Sequence, residues 1–116
     1  MDEVRQLQTE LKGYPERIFE AELAAENLRE IWMAAKVRRD YSSTREYLKR
    51  KAEGATDNQA KAHAAEATFD LDQQLIVAES KYRKAEANRM YLENKFAAIR
   101  KSANLEEARI QKLGML

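Results

Sequence analysis

Two segments of this 116-residue chain interleave basic residues with tyrosines. Residues 36–51 and residues 81–101 each contain seven bases, two acids and two tyrosines. Lys and Arg side chains bind phosphates, and tyrosine rings stack on unpaired bases, so this mixture is typical of a surface for single-stranded DNA. The cations predicted to contact the strand are Arg38, Arg39, Arg45, Lys49, Arg50, Lys51, Lys81 and Lys84.

The same basic segments have a structural explanation. The cations would neutralise an acidic helix packed beside them, and the tyrosines would lie between helices, as we expect for Tyr82. The net charge of +1 does not distinguish DNA binding from neutralisation of a neighbouring helix. Composition alone favours neutralisation over DNA binding. Assembly into a ring would strengthen the case for DNA, because a repeated basic block creates a strong, salt-sensitive field.

Residues that commonly catalyse reactions are scarce. The chain has one histidine, no cysteine and no glycine-rich phosphate loop, so the sequence offers neither a nucleophile arrangement nor a metal cluster. His63 is interpreted as a surface residue. The acidic pairs Asp70 with Asp72 and Glu106 with Glu107 point to different sides of a helix and do not converge. We therefore predict a binding protein, not an enzyme, without metal or cofactor.

The composition favours helix throughout, with only three Gly and one Pro. Gly13 suits a helix end and Pro15 the first turn of the next helix. Poor helix formers at 41–44 predict a kink. Gly54 and a capping box beginning at Thr56 predict a loop. The expected single domain, residues 1–116, has helices at about residues 2–12, 16–53 with the kink at 41–44, and 57–112, with a loop at 54–58.

Each long helix carries an apolar stripe at helical spacing. In the second long helix the steps alternate between three and four residues, as in a coiled coil, with Arg89 as the polar exception. The stripe of the first long helix is assigned to Phe19, Leu23, Ile31, Ala34, Tyr41, Leu48 and Ala52, and it is widened by Ile18, Leu28, Trp32 and Ala35. That of the second is assigned to Ala60, Ala64, Ala67, Leu71, Leu75, Ala78, Tyr82, Ala85, Leu92, Phe96, Ile99 and Ala103.

A short loop between two long helices predicts an antiparallel hairpin, in which the numbers of facing residues sum to about 110. This register places basic residues 36–51 beside acidic residues 57–72, and basic residues 81–101 beside acidic residues 8–28. Opposite charges therefore meet along the pair. The predicted fold class is all-α, with a short N-terminal helix followed by a long, coiled-coil-like antiparallel hairpin.

Further large apolar residues lie off these stripes and predict a homo-oligomer of undetermined subunit number. The predicted oligomer interface consists of Trp32, Phe69, Ile76, Met90 and Tyr91. No uncharged apolar stretch is long enough to span a membrane. The absence of cysteine is typical of a reducing compartment, so we expect a cytoplasmic location without membrane association.

Three short motifs resemble the recombination mediator proteins of T-even-like phages, the UvsY-like family. The first is a Leu-Gln-x-Glu-Leu-Lys run at Leu7–Lys12. The second is a pair of serines followed by basic and Glu residues, at Ser42–Glu46. The third runs from Ala-Ile-basic at Ala98–Lys101 to Ile110–Gln111. The similarity extends thinly over most of the chain.

The resemblance implies a non-enzymatic, ring-forming protein of a phage-infected bacterial cell. It implies that this protein binds single-stranded DNA and helps to load a RecA-like recombinase in place of a single-strand binding protein. The family's DNA-contact segment precedes its mid-chain loop, and the matching residues here are Arg45, Lys49, Arg50 and Lys51. The family's Lys-Ala-Arg-Leu motif is only approximated, at Leu48–Ala52. A structural coiled-coil scaffold or chaperone-like adaptor is the alternative to this function.

Overall fold

Helix accounts for nearly all of the chain. The computed structural model describes residues 2–114, which form three α-helices: α1 at Asp2–Ala52, α2 at Asp57–Ala67 and α3 at Phe69–Gly114. These residues contain no β-strand. The predicted all-α fold class is confirmed. No helix in this part of the chain is both long and apolar enough to cross a membrane.

Helix α1 continues through the point where the sequence predicts a break. Gly13 and Pro15 both lie inside it, so the prediction of a separate helix at residues 2–12 is wrong. A proline inside a helix removes one hydrogen bond and crowds the preceding turn, and a glycine adds an entropic cost. Tertiary contacts offset these costs, because the intervening Tyr14 is buried against Leu92, and its ring contacts that of Phe96.

The segment 41–44 is also helical without interruption, so α1 neither ends nor restarts there. Polar contacts with the opposite helix hold α1 on both sides of this segment. Before it, Arg39 lies 3.6 Å from Asp72, and after it Glu46 lies 3.0 Å from His63. These contacts counteract the low helix propensity of the serines and threonine between them.

The loop is shorter than expected, because α1 ends at Ala52 and α2 begins at Asp57. Gly54 has a φ of 93°, a left-handed conformation that favours glycine. The predicted capping box is confirmed. The Thr56 side chain accepts a hydrogen bond from the backbone N–H of Gln59, and the Gln59 side chain accepts one from the backbone N–H of Thr56.

The predicted single helix 57–112 is divided at Thr68. This residue is buried, and its φ and ψ of −102° and 10° lie outside the α-helical range. Its hydroxyl donates a hydrogen bond of 2.8 Å to the carbonyl of Ala64. A threonine hydroxyl that bonds to the carbonyl four residues earlier competes with regular helix geometry, which accounts for the break.

The chain forms two compact units, which we call the terminal unit and the loop unit. The described part of the terminal unit is residues 2–25 with 85–114, and the loop unit is residues 26–84. Within the terminal unit α1 pairs with α3, and within the loop unit α1 pairs with α2 and the first part of α3.

Both units show antiparallel pairing near the predicted register. The cross-helix contacts of the terminal unit are Gln8 with Glu107 and Tyr14 with Phe96. Those of the loop unit are Trp32 with Tyr82, Arg39 with Asp72, and Glu46 with His63. In each unit the residue number rises on one helix as it falls on the other. The antiparallel prediction is therefore confirmed within each unit.

The apolar stripe assigned to the first long helix is wrong at its main positions, since Phe19, Leu23, Ile31, Tyr41 and Leu48 are all more than half exposed. The inward side chains follow the residues that widen the predicted stripe, of which Ala35 is buried and Ile18, Leu28 and Trp32 are partly buried. The other buried members of α1 are Val4, Tyr14, Ala21 and Ala25. Small alanines let the helices approach closely, so they occupy the contact while larger apolar residues remain outside.

The second stripe is confirmed, with one exception. Ala60, Ala64, Ala78, Leu92 and Ala103 are buried, whereas Ala67 is exposed and its inward place is taken by Thr68. Arg89, the polar exception of this stripe, is partly buried and donates hydrogen bonds to Glu86 and Glu93. These two carboxylates raise the pKa of the Arg89 guanidinium above its ordinary value and keep its charge compensated.

Candidate nucleic-acid interface

A row of exposed side chains runs along the outward side of α1 in the loop unit. We call it the Tyr41 ridge, and its members are Ala34, Val37, Arg38, Tyr41, Arg45 and Leu48. They recur every three or four residues and therefore share one helix face. All six are exposed, and Tyr41 retains 68% of its accessible surface. The ridge thus combines cations with an aromatic ring.

Most of the cations predicted to bind DNA have no salt bridge among the described residues. This group consists of Arg38, Arg45, Lys49, Lys51, Lys81 and Lys84. All six are exposed. The two exceptions are Arg39, which pairs with Asp40 and Asp72, and Arg50, which pairs with Glu53. Salt bridges therefore involve two of the eight predicted residues, whereas Arg45 and Lys49 help to lower the pKa of Glu46, and Lys51 that of Asp57, through longer-range attraction.

Three of these cations lie along the same edge of the loop unit. Arg38 and Arg45 each precede an inward-facing residue of α1, and Lys81 precedes the inward-facing Tyr82 of α3. These cations precede inward residues at the a position of a heptad and therefore occupy g positions. In an antiparallel pair of helices, the g positions of both helices lie along the same edge of the contact. We call Arg38, Arg45 and Lys81 the basic edge.

Arg39, by contrast, belongs to the contact between helices. Its Nε atom lies 3.0 Å from a carboxylate oxygen of Asp40 and 3.6 Å from one of Asp72. The atom is buried, and neither carboxylate is aligned for a hydrogen bond with it. Arg39 therefore bridges α1 and α3 electrostatically, and it is poorly placed to reach a phosphate. This placement corrects its assignment to the DNA-contact set.

A groove of about 370 Å³ opens beside Arg39 and is lined by polar residues that include Ser43, Tyr47 and Lys61. Tyr47 and Lys61 are already engaged by Asp57. The Nζ of Lys61 lies 2.9 Å from a carboxylate oxygen of Asp57, which also accepts a hydrogen bond from the Tyr47 hydroxyl. These bonds lower the pKa of Asp57 and raise those of Tyr47 and Lys61. The hydrogen bond from Tyr47 to Asp57 therefore connects α1 to α2 at this groove, near the loop.

His63 contributes to the same contact between helices. Its Nε2 lies 3.0 Å from a carboxylate oxygen of Glu46, and both side chains are more than two-thirds buried. The hydrogen bond to His63 lowers the pKa of Glu46. The interpretation of His63 as a surface residue is therefore wrong. The alanine-rich sequence around it concealed this role, because the partner lies 17 residues away.

The second basic segment contributes cations of two kinds. Lys81 and Lys84 are exposed and unpaired among residues 2–114. Arg83 instead lies over the ring of Trp32, 5.3 Å from its centroid, and pairs with Glu79. Its cation–π contact covers the stacked rings of Trp32 and Tyr82. The expectation that Tyr82 lies between the helices is confirmed.

The predicted oligomer residues are placed differently from one another. Phe69 and Ile76, in the loop unit, are 60% and 59% exposed, and their seven-residue spacing puts them on one face of α3. Met90 and Tyr91, in the terminal unit, are also more than half exposed. Trp32 is the exception, because it stacks on Tyr82 inside the hairpin, and this corrects its assignment to the oligomer interface.

The sequence reading also missed exposed apolar residues. Val37 and Leu105 are more than half exposed and were not assigned to any surface. Their positions relative to the buried stripes would have identified them, once the inward stripe of α1 was assigned to its alanines. Among the described residues, no three His, Cys, Asp or Glu side chains form a group that could hold a metal ion.

No protein-family model matches this chain, and no curated protein or solved structure is significantly similar to it. The likeness to the phage recombination mediators therefore depends only on the short motifs at Leu7–Lys12, Ser42–Glu46 and Ala98–Gln111. The structural case for a function rests on the basic edge and the Tyr41 ridge.

Proposed function

We propose that this protein binds single-stranded DNA as a homo-oligomer and acts as a non-enzymatic recombination mediator. The observation that supports DNA binding is the basic edge, whose Arg38, Arg45 and Lys81 are exposed and make no salt bridge among residues 2–114, with the exposed Tyr41 between the two arginines on α1. In the mediator role, the protein helps a RecA-like recombinase replace a single-strand binding protein. This part of the proposal comes from the family resemblance.

The binding is electrostatic and largely independent of base sequence. Each phosphate neutralised on a single strand contributes a slope of about −0.7 to the dependence of log affinity on log salt concentration. Three cations per subunit therefore predict a slope of about −2 for one subunit. Assembly multiplies the number of contacts on one strand and steepens the dependence.

Self-association is proposed on separate residues. Phe69 and Ile76 in the loop unit, and Met90 in the terminal unit, are apolar side chains that remain exposed in the single chain. Burial of such residues against further copies would remove apolar surface from water at about 25 cal/mol per Å². The subunits would then present their basic edges to the same strand.

The test is fluorescence anisotropy with labelled oligo-dT at a low and a high salt concentration. The intact protein should bind tightly at low salt and weaken steeply as salt increases. The variant Arg38→Gln/Arg45→Gln/Lys81→Gln should lose most of its affinity and show a shallower salt slope. Glutamine has nearly the helix propensity of Lys and Arg, so the helices should persist.

A matched control removes the same charge elsewhere. Arg5, Lys12 and Lys112 are exposed and have no salt bridge within the described residues. The variant Arg5→Gln/Lys12→Gln/Lys112→Gln should retain binding within about threefold, because only nonspecific charge is lost. The DNA-binding proposal fails if the intact protein does not bind at low salt, or if both triple variants lose affinity equally.

The alternative is a structural coiled-coil scaffold or adaptor that does not bind nucleic acid. The exposed pair Phe69 and Ile76 favours it, since such a face fits assembly without DNA. This alternative predicts that replacing Arg45, Lys49, Arg50 and Lys51 with Gln changes oligomer mass more than DNA affinity. Light scattering and anisotropy on that variant separate the two functions.

The mediator role needs its own measurement. A RecA-like recombinase and single-stranded DNA coated with a single-strand binding protein are mixed with and without this protein. Recombinase ATP hydrolysis should start sooner in its presence, because displacement of the coating protein exposes the strand. An unchanged lag would leave DNA binding intact as a function and exclude the loading role.

A further inference from the structure

Tyr41 differs from the other four tyrosines in having no partner among the described residues. Tyr14 is buried against Phe96, Tyr47 donates a hydrogen bond to Asp57, and Tyr82 stacks on Trp32. Tyr91 is exposed, but its ring lies 5.9 Å from the Nζ of Lys95. Tyr41 is 68% exposed and makes no hydrogen bond and no ring contact with any of residues 2–114.

The surroundings of Tyr41 are basic. Arg38 lies three residues before it and Arg45 four residues after it, so both share its face of α1. At a rise of about 1.5 Å per residue, these two arginines are separated by about 10 Å along the helix. Neither guanidinium lies over the ring, because the cation–π contacts of the described residues involve other cations. The ring is therefore open between two cations.

We propose that Tyr41 stacks on an unpaired base whose flanking phosphates are held by Arg38 and Arg45. This inference rests on the proposed DNA binding and explains why the surface would prefer single strands to duplex DNA. Phosphate contacts alone position a nucleic acid but do not read its bases. A base in a duplex is stacked on its neighbours and offers no free face, whereas a single strand offers one at each nucleotide. Tyr41 thus makes the surface select single strands.

The expected effect follows from the strength of stacking. Loss of one base–aromatic contact typically lowers affinity by a factor of roughly 5 to 150. Duplex DNA makes only the phosphate contacts and should lose little. The variant Tyr41→Ala should therefore reduce affinity for oligo-dT within that range and change affinity for a duplex of equal length by less than about twofold.

Two further variants serve as controls. Tyr41→Phe keeps the ring and should bind oligo-dT within about twofold of the intact protein. Leu23→Ala truncates an outward residue of α1 that lies outside the Tyr41 ridge, is 52% exposed and is not aromatic, and it should leave both affinities unchanged. An abasic oligonucleotide keeps the phosphates and lacks the bases. The intact protein should bind the abasic oligonucleotide as weakly as Tyr41→Ala binds oligo-dT. Tyr41→Ala should bind the abasic oligonucleotide and oligo-dT with equal affinity.

Anisotropy with the three nucleic acids and light scattering on each variant complete the experiment. Equal losses on single strand and duplex, or no loss on either, would overturn the stacking role while leaving DNA binding in place. A fall in oligomer mass for Tyr41→Ala would assign the ridge to contacts between copies and overturn it too. Failure of the intact protein to bind oligo-dT would reject both this inference and the proposed function.

Discussion

The terminal unit and the loop unit have the same helical pairing but different contacts between helices. In the terminal unit Tyr14, Leu92 and Phe96 form an apolar cluster, with Ile18 and Ile99 packed against it. In the loop unit the buried residues are Thr68 and alanines such as Ala60 and Ala64, and polar pairs cross between the helices. Apart from the stacked Trp32 and Tyr82, this unit therefore combines small buried residues with polar cross-helix contacts.

Arginines are also paired differently in the two units. In the terminal unit Arg89 and Arg109 are bound by glutamates of their own helix. In the loop unit Arg39 alone among the arginines makes a cross-helix salt bridge within the described residues, and Arg38 and Arg45 make none there. Exposed cations without such a bridge occur in both units, so the loop unit is distinguished by the exposed Tyr41 between Arg38 and Arg45.

Truncation of the apolar cluster should give the largest effect. Leu92 is 6% exposed, so Leu92→Ala leaves a cavity and should lower the free energy of unfolding by about 2–5 kcal/mol. Urea unfolding followed by circular dichroism measures this change. Leu48→Ala is the matched control and should change stability by less than about 0.5 kcal/mol. Similar effects of both variants would contradict the apolar cluster.

Enlargement of a buried alanine tests how tightly the helices of the loop unit pack. Ala60 is 0% exposed, so Ala60→Leu has no room for its added atoms and should cost about 1–3 kcal/mol through overpacking. The same urea measurement applies. Ala62→Leu, at an exposed position of the same helix, is the control and should be nearly neutral. An unchanged stability for Ala60→Leu would mean that the alanine contact is loosely packed.

The pair Glu46 with His63 should give the smallest effect, visible as a pH dependence. The pKa of Glu46 is lowered from its ordinary value of 4.5, chiefly by the hydrogen bond from His63. A carboxylate with a lowered pKa stabilises the fold above its unfolded-state value, and this contribution is lost as pH falls through the folded-state value. Between about pH 6 and pH 3, the Tm of the intact protein should therefore fall more than that of Glu46→Gln. Parallel decreases would show that the pair contributes nothing.

The sequence predicted the parts of the fold that depend on local rules. The capping box at Thr56 and the second apolar stripe follow from short-range chemistry and from regular steps of three and four. The antiparallel register followed from the loop position and the alternating charge. These features need no knowledge of how tightly the helices approach.

The first stripe was beyond such rules, because α1 carries two apolar stripes. The outward one contains the larger residues, including Phe19, Leu23 and Leu48, whereas the inward one relies on Ala21, Ala25 and Ala35. The sequence assignment combined residues of both stripes in one face and took the outward residues as its main positions. The continuity of α1 through Pro15 was similarly hidden, since the burial of Tyr14 depends on residues almost 80 positions away in the sequence.

The DNA-contact role of the predicted cations stays a prediction. Arg38, Arg45, Lys49, Lys51, Lys81 and Lys84 are exposed and make no salt bridge among residues 2–114. Arg39 and Trp32 were misplaced, because only the structure shows that they contact the opposite helix. Sequence spacing defines a helix face but does not say which of two apolar faces turns inward.

The alanine contact of the loop unit has a consequence for alignment. Because the buried alanines, such as Ala60 and Ala64, are of equal size, a shift of one helix by one turn would replace one alanine by another with little loss of packing. Charged groups along the contact fix the register of the two helices, since a shift of one turn would separate Arg39 from Asp72 and Glu46 from His63 at the same time. Neutralising both pairs should therefore permit alternative alignments of the two helices before it unfolds them.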